Sequence, residues 1–145
     1  MNTDELLAMI QRYPRASKVL QGVFASNRLP DDVSYPSGYI CNTDPDYRPG
    51  EHWVAIFIDH EGVGQYFDSF GLPPMKQTFV DFLETHCSSW TYNERTLQSV
   101  TSSVCGLYCI YFLVMRCNSF SMSTLLDVFT DDFIYNDSLV SYILK

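Results

Sequence analysis

Long apolar runs, closely spaced histidines and cations are all scarce in this chain. No stretch of about 18 consecutive apolar residues occurs, which argues against a membrane-spanning helix and against a membrane as partner. Lys and Arg total 9 against 17 Asp and Glu, a formal net charge of −8 over 145 residues. Capture of a phosphate backbone scales with the cations a protein presents, so DNA is not favoured as a partner. Arg12, Arg15 and Lys18 form one local basic group, for which solvated helix charges are the simpler reading. The three histidines, His52, His60 and His86, are scattered, and no CxxC pair occurs, so no metal site is expected. Met1 to Ile10 carries Asp4 and Glu5 and no basic segment, unlike a secretory signal. The five cysteines, an odd count, then read as free thiols in a reducing intracellular compartment.

An apolar fraction of 46% with 15% aromatics fits a packed globule. The length suits one domain over residues 1–145, read as a monomer. Thr3 to Arg12 has helical periodicity, with Thr3 as its cap and Pro14 after its end. Ala16 to Gln21 reads as a second short helix closed by Gly22. Asn27 to Gly50, rich in Pro and Gly, is mostly loop, with a short strand over Gly38 to Asn42. His52 to Asp59 is a nearly continuous apolar run, as in a strand buried on both faces. His60 to Gly64 is a turn, and Gln65 to Asp68 is the return strand.

Further on, Met75 to His86 is helical, Arg95 to Val100 reads as another short strand, and Cys105 to Arg116 is a strongly apolar helix. Ser121 to Phe129 and Asp132 to Leu144 are amphipathic helices. The expected class is α+β: a small, mainly antiparallel sheet packed against helices, with Cys105 at the N-terminus of a central buried helix.

Cys105 stands out chemically. A thiol at a helix start faces unpaired backbone N–H groups and the positive end of the macrodipole. Both favour the thiolate, the nucleophilic form. Gly106 after it leaves that flank open. Cys109 and Cys117 fall among Leu107, Ile110, Phe112 and Leu113 and read as core. His52, at a strand edge, suits a general base. Asp68 ends the neighbouring strand, where a carboxylate can accept the imidazole N–H and fix its tautomer. Asp59 lies too far along the strand from His52 to do so.

Taken together, His52-Trp53, then Tyr66-Phe67-Asp68-Ser69-Phe70-Gly71, then Gln98, then Cys105-Gly106-Leu107-Tyr108-Cys109 resemble the adenovirus-type cysteine proteases, relatives of the ubiquitin-like-protein (SUMO) proteases. The ordered match runs from Glu51 to about Cys117. The resemblance implies that His52 is the base, Asp68 its orienting acid, Cys105 the nucleophile and Gln98 an oxyanion-hole donor, with Trp53 and Gly106 beside that hole. It implies hydrolysis of peptide or isopeptide bonds through a thioester, at small residues such as Gly.

The acid is Asp where adenoviral enzymes generally have Glu, and the chain is short for the family. Adenoviral members use DNA and a disulfide-linked peptide as cofactors. The acidic surface speaks against the DNA, and no cofactor is expected. Cys41 or Cys87 would be the acceptor if an activating peptide were used. The leading expectation is an endopeptidase that cuts viral or virus-like-element precursor proteins, in host cytoplasm, nucleus or virion. The alternatives are a deubiquitinase or ubiquitin-like-protein protease, and a non-catalytic interaction module on the same fold.

Overall fold

The computed structural model describes residues 1–48 and 52–145. Its centre is a five-stranded sheet in chain order: β1 (Leu20–Phe24), β2 (Ser37–Asn42), β3 (Trp53–Ile58), β4 (Val63–Phe67) and β5 (Ser89–Tyr92). The sheet is mixed. β2, β3 and β4 are antiparallel neighbours, whereas β1 and β5 run parallel to β2 and β4. Around it stand α1 (Thr3–Ile10), α2 (Pro14–Val19), α3 (Gln77–His86), α4 (Cys105–Cys117), α5 (Met122–Leu126) and α6 (Phe133–Ile143). None of these helices is long and apolar enough to cross a membrane.

Strand residues alternate between two cores, as a period of two requires. Ile40, Ala55, Phe57 and Phe67 face the helices α1, α2, α4, α5 and α6. Tyr39, Cys41, Val54, Ile56, Ile58 and Tyr66 face α3 through Phe79, Phe82 and Leu83. Burial on both sides is why β3 reads as a continuous apolar run. α4 lies against β3, and its Phe112 ring stacks on Phe67 at 4.8 Å and 9°. Burying a Phe or Leu side chain stabilises the fold by about 1.5–3 kcal/mol, so this helix is held rigidly where its first residue, Cys105, is presented.

Several local expectations change. Asn2, not Thr3, caps α1, in a capping box with Glu5. α2 begins at Pro14, which suits a first helical turn. The expected end of that helix is instead strand β1, because β2 offers it a parallel partner. Arg95 to Val100 is not a strand. The N–H groups of Leu97 and Gln98 both donate to Ser69 O, at 2.8 and 3.1 Å, which is a loop clamp rather than a ladder. The fifth strand is Ser89–Tyr92. The end of the Asn27–Gly50 loop lies outside the described residues.

Candidate active site

Three elements end at one edge of the sheet. His52 immediately precedes β3, and its carbonyl accepts from Thr43 N at 2.9 Å. Asp68 immediately follows β4, the antiparallel neighbour of β3. Cys105 opens α4, whose N-cap, Val104, provides no side-chain cap. Val104 O accepts from Leu107 N and Tyr108 N at 3.0 and 3.3 Å, and the Cys105 N–H at the helix start is left for another acceptor.

His52 Nε2 lies 2.8 Å from Asp68 Oδ1, with both side chains largely buried. The other ring nitrogen, Nδ1, remains for a second partner, and Cys105 is near enough for the thiol and the imidazole to shift each other's pKa. Asp68 is itself fixed from three sides. Phe70 N donates to Asp68 Oδ1 at 2.8 Å. Asp68 N donates to Asn93 Oδ1 at 2.9 Å, and Asn93 Nδ2 returns a bond to Asp68 O at 2.7 Å. The Phe70 ring stacks on the His52 imidazole at 4.8 Å and 25°. Gly71 closes the Asp68–Gly71 turn, donating to Asp68 O at 2.7 Å, with φ +74°.

The electrostatics separate Cys105 from its fellow thiols. Burial pushes the Cys105 thiol up. The hydrogen bond to His52, the backbone N–H groups of Trp53 and Gly106 and the nearby imidazolium outweigh burial, so its pKa lies below the ordinary thiol value. Burial pushes the His52 imidazole down, but its hydrogen bonds to Asp68 and Cys105 and their charges prevail, raising its pKa to about 9. The pair thus favours thiolate and imidazolium. Burial raises Cys41; burial, helped by neighbouring negative groups, raises Cys109 and carries Cys87 up to about 11; and burial carries Cys117 up to about 11 against the Arg116 charge.

A cavity of about 470 Å³ opens on the pair, lined by Met1, His52, Trp53, Phe70, Gln98 and Cys105 with the 100–103 loop. Gln98 is buried beside it, at 1% exposure. Ser69 Oγ donates to its Oε1, and its Nε2 donates to Ser102 O and Oγ at 3.2 and 3.1 Å. The Trp53 indole N–H is directed elsewhere, to Met1 O at 2.9 Å. A Cβ on Gly106 would meet Leu6 Cδ2 at 2.9 Å and Trp53 Cδ1 at 3.5 Å. Its missing side chain therefore makes room for α1 and Trp53 rather than opening a flank. Asp59 holds the β3–β4 turn through Glu61 N and Val63 N, both at 2.9 Å. Cys41 is fully buried and Cys87 partly so.

Sequence reasoning missed Ser69, Phe70, Asn93 and Ser102. Ser69 and Phe70 lie inside the motif around Asp68. Asn93 has no local signal, because its partner Asp68 comes from another segment, whereas Ser102 meets Gln98 and Ser99 within its own loop, where a serine carries no distinguishing pattern.

The comparisons with known proteins bear on this constellation. No protein-family model matches the chain. A cysteine protease of African swine fever virus is 29% identical over 110 residues, which cover 68% of this chain and 40% of that protein. Its crystal structure superposes with a TM-score of 0.65 at 17% identity, over 99% of this chain and 67% of that one. The fold is that of a viral cysteine protease. Matches from further isolates of that virus, 28% identical, carry the name SUMO-1 cysteine protease. A mimivirus protein named for thiol protease activity, from Acanthamoeba polyphaga mimivirus, is 33% identical over 85 residues, 52% of this chain and 28% of that protein. The chain thus spans less than half the length of the curated relatives it matches.

Proposed function

We propose that the chain is a cysteine peptidase in which Cys105 is the nucleophile, His52 the base and acid, and Asp68 the orienting carboxylate. The observation that carries this reading is the constellation itself: His52 Nε2 and Asp68 Oδ1 are 2.8 Å apart, and His52 shares one cavity with Cys105, a thiol of lowered pKa. The Cys105 thiolate attacks the scissile carbonyl carbon. The carbonyl electrons move to oxygen, which the Cys105 N–H at the start of α4 and the Gln98 amide receive. The intermediate collapses to a thioester as the C–N bond breaks, and His52 gives its proton to the leaving amine. Water then attacks the thioester while His52 takes its proton, and the acid and free thiol are released. Gln98 must exchange its bonds to Ser102 for the substrate oxyanion in the process.

The substrate is a polypeptide with small residues, Gly above all, next to the cut. The walls formed by Met1, Trp53 and Phe70 narrow the approach to a buried thiol, and this supports a slim backbone there. Precursor proteins of a virus or virus-like element are the proposed targets, and five free thiols fit action in a reducing compartment. A second reading, a ubiquitin-like-protein protease, is favoured by the SUMO-1 protease name of the viral relatives.

A peptide electrophile ending in Gly and ubiquitin- or SUMO-derived electrophiles, read by intact mass, test both. The expected result is one adduct on Cys105 with the peptide probe, lost in Cys105→Ala and in His52→Ala. Preference for a modifier-derived probe moves the assignment to the second reading. Equal labelling of Cys87 and Cys105 overturns both.

A further inference from the structure

At the other end of α4 lies a second cavity, of about 620 Å³. Arg15 and Lys18 of α2, Arg116 of α4 and His60 of the β3–β4 turn all line it. Arg116 follows Cys105 by 11 residues, so about 16 Å of helix separates this cavity from the proposed nucleophile. The chain has a net charge of −8 and only 9 Lys and Arg, yet three of those nine converge here. Among the described residues the side-chain ion pairs are Arg28–Asp46 and His52–Asp68, so none of the three has a carboxylate partner. The one carboxylate in the lining, Asp59, has an oxygen occupied by the backbone of its own turn.

Helix ends account for part of this grouping. Lys18 and Arg116 sit in last turns, where cations suit the macrodipole. Arg15 does not: it is in the first turn of α2, the wrong end for a cation. The guanidinium of Arg116 lies over the Phe57 ring at 4.9 Å, and one of its terminal nitrogens donates to Phe120 O at 2.8 Å. Its Nε is buried with no acceptor. Arg15 spends a single bond, to Asn118 Oδ1 at 3.0 Å, and is otherwise exposed. Arg12, the third member of the basic group in the sequence, is not in the lining and rests against the Tyr13 ring.

We propose that this cavity binds a compact anion carrying more than one phosphate group. Two guanidinium forks and an ammonium match tetrahedral oxyanions in geometry and charge. The volume exceeds what a single orthophosphate fills, and it lies in the range of small-molecule sites. The proposal is independent of the peptidase reading, since no residue of the Cys105 cleft takes part.

Titration calorimetry with inorganic tripolyphosphate at constant ionic strength tests it on the full chain. One saturable site is expected, weakened by at least about tenfold, or about 1.4 kcal/mol, in Arg15→Gln/Lys18→Gln. Both side chains are exposed on α2, and circular dichroism checks that the variant folds. Arg12→Gln should bind like wild type. No saturable binding, unchanged affinity in the double variant, or equal loss in Arg12→Gln overturns the proposal. So does tight binding of a single-stranded oligonucleotide with none of tripolyphosphate.

Discussion

The hydroxyl of Ser69 donates to Oε1 of Gln98, and this one bond decides which way the Gln98 amide faces. With its oxygen held by Ser69, the NH₂ group points toward Ser102, in the loop beside Cys105. Ser69 adds two backbone bonds, accepting from Leu97 N and Gln98 N. The residue after the proposed acid therefore aims the proposed oxyanion donor. Gln98→Ala should lower kcat by about 10²- to 10³-fold, as loss of such a donor does. Ser69→Ala should lower kcat by a smaller factor with KM nearly unchanged, and Ser69→Thr should recover part of it. Steady-state kinetics on a Gly-containing peptide decide. A change confined to KM would mean that Gln98 binds substrate instead.

The proposed acid, Asp68, should set the alkaline limit of activity. His52 is held protonated up to about 9 by its bonds to Asp68 and Cys105. The thiolate–imidazolium pair forms as pH rises through the lowered Cys105 pKa and is lost as pH rises past that of His52. The profile of kcat/KM should be a bell with its upper limb near 9. Asp68→Asn removes the charge that favours the imidazolium, so His52 titrates lower and the upper limb moves to lower pH. The maximum should fall by on the order of 10²-fold or more. An unmoved limb would exclude Asp68 as the partner that sets it.

The five thiols should react in a defined order. Iodoacetamide should modify Cys105 first, and at lower pH than the other four thiols, because its pKa is lowered from the ordinary thiol value while theirs are raised. Cys87 and Cys117, raised to about 11, should react only in alkali, and Cys41 and Cys109 only on unfolding. In His52→Ala the reactivity of Cys105 should shift to higher pH, because His52 is one of the groups that lower its pKa. Peptide mapping after timed alkylation reads this directly.

What the sequence made legible, and what it hid, follows from where each signal resides. β3 and α4 were visible because a strand buried on both faces and a core helix leave long apolar runs. His52, Asp68 and Cys105 were visible as an ordered motif, and the structure brings them to one edge of the sheet. β5 was not visible: its four residues alternate between exposed and half-buried and depend on β4 for pairing. Arg95 to Val100 misled because Leu97 and Val100 look strand-like. In fact Leu97 is buried, Val100 is 83% exposed, and the backbone is committed to Ser69. Asn93 could not be found, since its role exists only once Asp68 is folded against it.

Gly71 couples the acid's turn to the Gln98 segment. Its φ is +74°, a conformation that side chains disfavour. A Cβ there would meet the carbonyl carbon of Arg95 at 2.6 Å and Thr96 N at 2.7 Å, both backbone atoms that cannot rotate away. Thr96 also bonds back, its hydroxyl donating to Phe70 O at 2.9 Å. Gly71→Ala must therefore push the 95–96 backbone outward, and Leu97 and Gln98 with it. Left-handed strain of about 1 kcal/mol or more adds to that clash. Urea unfolding should show a loss of about 2 kcal/mol or more. Kinetics on the folded fraction should show kcat falling further than KM rises, because the oxyanion donor moves while the cavity walls stay. If stability falls and kcat per folded molecule is unchanged, the turn serves the fold alone and Gln98 is aimed by Ser69 without it.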